Sequence, residues 1–302
     1  MIGYMLITLG IGFYLSRTNK SVQDFFVAKR SLGVGTIIPL MFAEMIAGAA
    51  TVGAAAEAYK IGLSAGWVSW GMVLGLIVNL VFVAQFYLVM GKVHGAMSVP
   101  EAYGLFFDKK TRLVLMAIMA LVFAILFAMQ PAAAAGILAP MFGATKETMA
   151  WIIAIIFIII TITGGLKGLA WMNVMHSFVM YMGLGSAAYF SIKYIGGYSA
   201  LQAQVPPDFF TYMQPDAGLV IATALGIAIS YIASPTCAQV VFGAKSFDAA
   251  KKGLILAGIL VVIFAFIPCF IGMAGKVALP GIAANTVIYK MTSTVSPFLG
   301  GI

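Results

Sequence analysis

Long apolar runs separated by short charged or turn-rich breaks set the pattern of this chain. The runs predict helices near 2–16, 33–57, 64–90, 113–140, 149–164, 171–192, 218–242, 253–274 and 295–302. Most approach or exceed the ~20 residues that an α-helix needs to cross a lipid bilayer. No low-complexity linker interrupts them, so 1–302 reads as a single transmembrane domain. The first run is short for a span and has no basic segment before it, which argues against a secretory signal. Arg17 and Lys20 follow it instead, favouring an anchor with its N-terminus outside. The last run stops at Ile302 without a polar flank.

Composition narrows the class. Hydrophobic residues make up 63% and charged residues 9%, with a mean hydropathy of +1.07. Average soluble domains are nearer ~45–50% apolar and ~25% charged. No soluble globule hides this much apolar surface, which excludes a soluble enzyme, a nucleic-acid binder and a disordered tail. The net charge of +8 would suggest nucleic acid if its placement did not explain it. With the first loop inside, the inner loops hold Arg17, Lys20, Lys29, Arg30, Lys92, Lys109, Lys110, Arg112, Lys167, Lys245, Lys251 and Lys252. The outer loops hold only Lys60, Lys146, Lys193, Lys276 and Lys290. The positive-inside rule then puts loops 17–32, 91–112 and 243–252 in the cytoplasm, the N-terminus outside and the chain in the cell membrane. The sequon Asn19-Lys20-Ser21 falls on the cytoplasmic side and should stay unmodified. Cys237 and Cys269 lie in apolar runs with neither a disulfide framework nor metal spacing.

The polar residues inside the apolar runs carry the functional signal. Of nine acidic residues, Glu44 alone sits mid-way along a predicted span, in Phe42-Ala43-Glu44-Met45-Ile46-Ala47-Gly48. A carboxylate at that depth costs ~2.5–3.5 kcal/mol on insertion scales, and intramembrane acids mark ion or solute pathways. The Ala- and Gly-rich residues after it suit either close helix packing or an unwound segment. A second interruption falls at Ser230-Tyr231-Ile232-Ala233-Ser234-Pro235-Thr236, where Pro235 removes a backbone donor among several hydroxyls. Two interrupted helices at corresponding positions point to the midplane site of a transporter. Asn79, Gln85 and Gln130 are expected to make interhelical hydrogen bonds. Asn173 and His176, three apart, share one helix face. Gly33-Val34-Gly35 lacks the third glycine of a dinucleotide fingerprint, and there is no nucleophile–base motif, phosphate loop or metal cluster.

Several stretches resemble the sodium/solute symporter family, relatives of the proline, pantothenate and sodium–sugar symporters. They are Asp24-Phe25-Phe26-Val27-Ala28-Lys29-Arg30-Ser31-Leu32-Gly33, Ile61-Gly62-Leu63-Ser64-Ala65-Gly66-Trp67, Thr163-Gly164-Gly165 with Trp171, and Gly243-Ala244-Lys245-Ser246 with Ala249-Ala250. The resemblance implies an all-α polytopic membrane protein with a five-plus-five inverted-repeat fold. In that comparison 2–16 is an extra N-terminal helix, 33–192 the first repeat, and 218–302 a partial second repeat. Ala43 and Ile46 match positions whose carbonyls bind sodium in the family. Tyr231, Ser234 and Pro235 match a stretch near the substrate and inner gate. Asn173 and His176 stand where many members have Asp and Gln, which removes support for a second cation site. The acidic residue of the proline permeases matches Met45, not Glu44, so proline is not supported as the solute.

The expected function is cation-coupled symport of a small organic solute, with sodium the leading cation and no cofactor. Substrate contacts would come from Glu44, Tyr231 and Ser234, cation contacts from Ala43 and Ile46, and gating or coupling from Asn173, His176 and Pro235. A transporter-like sensory module of a signalling protein is the rival reading; a membrane-embedded enzyme is weakened by the lack of paired catalytic groups. A second repeat as long as the first would end at roughly residue 375, which makes this sequence a fragment by that comparison.

Overall fold

A computed structural model describes residues 7, 8, 10–12, 14 and 21–296. Most of the expected 2–16 helix, Arg17, Lys20, the sequon at Asn19 and residues 297–302 lie outside that set. Among the described residues the architecture is all-helical, with no strand and one isolated parallel bridge between Leu32 and Ala244. Three stretches are long and apolar enough to cross a membrane, and counting each of two bent pairs as one span gives five.

In chain order, α1 (Val22–Val27) leads through a tight turn to α2 (Val34–Met45). There follow α3 (Ala54–Ile61), α4 (Trp67–Phe82), α5 (Ala84–Lys92) and α6 (Val99–Phe106). The long α7 (Lys109–Phe142) and α8 (Lys146–Tyr194) come next, and α8 doubles back by 111° at Gly165. Beyond it lie α9 (Tyr198–Gln204), α10 (Ala217–Ile232), α11 (Pro235–Gly243), α12 (Phe247–Phe264), α13 (Phe266–Ala278) and α14 (Val287–Val295). Asp108 caps α7 by accepting the Thr111 N–H at 2.7 Å, which holds its carboxyl below the ordinary carboxylate range. The cap therefore stabilises α7 near neutrality and fades as pH falls through that lowered value. Between Lys109 and Gly136 the most apolar window of α7 buries no residue inside the fold, and Leu113, Leu121 and Phe127 face outward. Such a surface requires lipid or protein, not water.

The loops sort onto two ends. At one end, Leu32 N–H donates to Gly243 O at 2.9 Å and Lys245 N–H to Leu32 O at 2.9 Å. The Arg30 guanidinium reaches Phe242 O at 3.1 Å and Ala96 O at 3.0 Å, and Lys92 Nζ reaches Lys245 O at 2.7 Å. These bonds join the three loops that the charge pattern assigned to one side. At the other end, Tyr59 Oη donates to Leu279 O at 2.9 Å, Ser64 Oγ to Thr211 O at 3.2 Å, and Trp67 Nε1 to Tyr212 O at 2.7 Å. Gly62 belongs to this second end. Its φ of +66° and the Phe209 backbone against its missing Cβ both exclude a side chain. We expect Gly62→Ala to lower the thermal midpoint in detergent by the equivalent of ~1–3 kcal/mol, measured by size-exclusion after heating.

Several sequence-based boundaries are corrected. The expected helix 33–57 is interrupted after Met45, and 64–90 bends at Val83. The gap expected between 164 and 171 is narrower, because Leu166 and Ala170 are buried and helical, leaving the break at Gly165. The loops 91–112 and 193–217 contain α6 and α9, and 275–294 contains all but the last residue of α14. Amphipathic helices of seven to nine residues lack the length that a span-based reading looks for.

Candidate functional site at the two helix breaks

The first break starts at the end of α2. Ile46 leaves helical geometry with φ −95° and ψ 66°, and its N–H still donates to Phe42 O at 3.0 Å. The chain resumes through a wide turn at Ala49–Gly53, closed by Gly53 N–H to Gly48 O at 2.9 Å. Thr51 Oγ1 donates back to Ala47 O at 3.1 Å. An α-helix that stops leaves its last four carbonyls without intrahelical partners. Those of Ala43 to Ile46 are therefore available to a cation or to water.

The second break separates α10 from α11 at Ala233 and Ser234, with a 41° bend. Pro235 opens α11, where its missing N–H costs nothing, and Ser234 Oγ accepts the Cys237 N–H at 3.4 Å. The carbonyl of Ile232, just before the break, accepts Asn79 Nδ2 from α4 at 2.6 Å. The Cys237 thiol donates to Asn79 Oδ1 at 3.2 Å. Asn79 is fully buried, so both ends of its amide are used to pin the second break.

Glu44 bridges the two breaks. Tyr231 Oη donates to its Oε2, and Thr236 Oγ1 donates to its Oε1 at 2.7 Å. Ser234 Oγ lies 2.8 Å from Thr236 Oγ1. Since the Thr236 proton goes to the carboxylate, Ser234 is the donor in that pair. Tyr231 and Ser234 are buried, whereas Glu44 and Thr236 are half-buried. Beside the cluster, Phe42 stacks on Tyr181 of α8 at 5.1 Å and meets Phe264 of α12 edge-on at 5.4 Å. Rigid aromatic packing thus fixes the helix that carries Glu44.

Of the residues singled out from sequence, Glu44, Tyr231 and Ser234 converge here, and Ala43, Ile46 and Pro235 form the adjoining breaks. Asn173 and His176 are half-buried on the second arm of α8. That arm touches α2 through Ser177 Oγ, which donates to Pro39 O at 3.4 Å. Thr236 and Asn79 are members of the site that sequence reasoning did not nominate. Thr236 stood in the polar cluster around Pro235, and Asn79 was expected to bond between helices without an assigned partner. Among the described residues no group of three His, Cys, Asp or Glu gathers around a metal position.

A model of the sodium:solute symporter family matches residues 25–294. A sodium/glucose cotransporter of Vibrio parahaemolyticus is 26% identical over 94% of this chain and 54% of its own length. A sodium/proline symporter of Salmonella typhimurium is 27% identical over 74% of this chain and 46% of its own length. The chain thus spans about half the length of the curated relatives it matches. A solved Na+-coupled sialic acid symporter, in a substrate-bound outward-open state, superposes with a TM-score of 0.82 at 19% identity. That match covers 99% of this chain and 66% of the other, and it shows the fold.

Proposed function

Because this chain belongs to the sodium:solute symporter family, we propose that it carries the binding centre of a sodium-coupled symporter for a small organic solute. The observation that carries the reading is the meeting of two broken spans at one half-buried carboxylate. Glu44 holds Tyr231 and Thr236 from the far side of the centre, so the breaks form one polar site and not two separate kinks. The carbonyls of Ala43 and Ile46 supply hard oxygen ligands of the kind sodium takes, and Ser234 and Tyr231 line the adjoining solute position. Asn173 and His176, on the arm that touches α2, act on coupling at a distance. Membrane placement in the cell envelope, with the N-terminus outside, rests on the distribution of Lys and Arg.

The mechanism is alternating access. Sodium at the first break orders the freed carbonyls, which completes the solute position beside Glu44. The lattice of bonds among Arg30, Leu32, Lys92 and Lys245 closes the end of the bundle that the charge pattern places inside. Release follows when that lattice parts.

The test is uptake by the full-length protein in proteoliposomes, driven by an inward sodium gradient across a panel of amino acids, carboxylates, amines and sugars. Uptake that collapses when sodium is replaced by potassium supports the reading. Uptake indifferent to sodium, or none across the panel, overturns it. Tyr231→Phe removes one hydroxyl donor to a charged acceptor, so the apparent solute affinity should weaken by about tenfold to a hundredfold. Unchanged affinity in that variant would remove Tyr231 from the site.

A further inference from the structure

Resting on the symport reading, we infer that the solute position beside Glu44 takes an ammonium group, as a protonated amine or a quaternary ammonium. Two features of the site carry this. The first is charge. Among the described residues no Lys or Arg comes within ion-pair reach of Glu44, while Asp24, Glu57 and Asp248 each have a lysine at 2.8–3.0 Å. An ionised carboxylate held among apolar helices is costly unless a cation pairs with it. Its ligand supplies that cation.

The second feature is the direction of the hydrogen bonds. Tyr231 and Thr236 spend their hydroxyl protons on Glu44, and Ser234 spends its proton on Thr236. Next to them Asn79 gives one of its two amide N–H donors to Ile232 O, and the Cys237 thiol spends its proton on Asn79. With these protons turned inward, the hydroxyl oxygens of Tyr231, Ser234 and Thr236 present lone pairs to the solute position. Acceptors around a net negative charge match a donor-rich or cationic group and repel a carboxylate. The aromatic ring of Tyr231, whose hydroxyl is bonded to Glu44, suits the apolar shell of an alkylammonium.

The experiment measures binding of choline, putrescine, glucose and pyruvate to the full-length protein in detergent with sodium present, by calorimetry. The same four compounds then compete for sodium-driven uptake in proteoliposomes. Choline or putrescine should bind and compete, and glucose and pyruvate should not. Glu44→Gln keeps the shape and an acceptor but removes the charge. It should weaken ammonium binding by about tenfold to a hundredfold, the effect of losing one charge-assisted interaction. Glu44→Asp retains the charge and should recover part of that loss, which separates charge from packing. Binding of pyruvate or glucose without either ammonium probe overturns the inference, as does full choline or putrescine affinity in Glu44→Gln. Sodium-driven uptake of a non-ammonium solute would overturn it while leaving the symport reading intact. Ammonium binding without sodium-driven flux would do the reverse.

Discussion

Gly75→Leu abolishes the folded, monodisperse protein. Gly71 and Gly75 lie one turn apart on α4 and face α10. A Cβ on Gly71 would meet Ala224 O at 2.9 Å and Ile227 Cβ at 3.2 Å. A Cβ on Gly75 would press on Ala228 O and stand 2.7 Å from Tyr231 Cβ. Small residues four apart let two membrane helices approach until their backbones touch, and in lipid that packing replaces the hydrophobic drive for association. The obstructing atoms at Gly75 are mostly backbone, which cannot rotate away. Overpacking a tight contact costs about 1–3 kcal/mol for modest additions, and a leucine here exceeds that range. Gly75→Ala should fold with a lowered thermal midpoint and weaker solute binding, because the added methyl pushes on the residue that holds Glu44. Gly226, on the same α10, has open space around its Cβ position. Gly226→Ala should therefore be neutral or stabilising by up to ~1 kcal/mol, the helix-propensity gain alone. Gel-filtration profiles and melting curves of the three variants decide it. A Gly75→Leu protein that elutes and melts like the parent would disprove the close contact.

Much of this arrangement is legible in the sequence, for a physical reason. Glu44 stands out because an acid among apolar residues has few structural excuses in lipid. Pro235 marks its break because a missing backbone donor is a local property of the residue. The first break is different. Ala47, Ala49 and Ala50 are strong helix formers, and among the neighbouring residues Gly48 and Gly53 argue for interruption. The opening at Ile46 is set by what surrounds it, including the hydroxyls that hold Glu44 from across the centre, and a single sequence does not encode that partnership locally. The same applies to Asn79. Its polarity predicted an interhelical bond, but the identity of Ile232 O as partner depends on α4 and α10 lying face to face. Short α14 escaped because Lys290, Thr292 and Ser293 dilute its apolar residues below the level of a span.

Arg30→Ala loosens the end of the bundle that the charge pattern assigns to the cytoplasm. Arg30 sits in left-handed backbone with φ 54°, in a turn that also holds Ala28 and Lys29 at positive φ. Its guanidinium forks between Phe242 O at the end of α11 and Ala96 O beyond α5. Gly91 leaves room for it, since a Cβ there would lie 2.6 Å from Nη1. Burial draws the guanidinium pKa down and Glu101 pushes it back, and the group stays charged through the neutral range. Two charge-assisted bonds are lost in the alanine variant, each worth about 1.5–3 kcal/mol where solvent is excluded and less where it is not. The Leu32–Ala244 bridge and the Lys92 bond to Lys245 remain, so the end frays without unfolding. Hydrogen exchange of the amides at Ala244 and Lys245 should accelerate by about tenfold or more, with the amides of α13 unchanged. Arg30→Lys should fall between the two, because a single ammonium cannot reproduce a planar fork that reaches two carbonyls. If the lattice is the inner closure, the alanine variant should also expose Ser246, replaced by cysteine, to a thiol reagent added from that side in the presence of sodium. Exchange and labelling identical to the parent would leave Arg30 as a solvated loop residue and the closure to the backbone bridge alone.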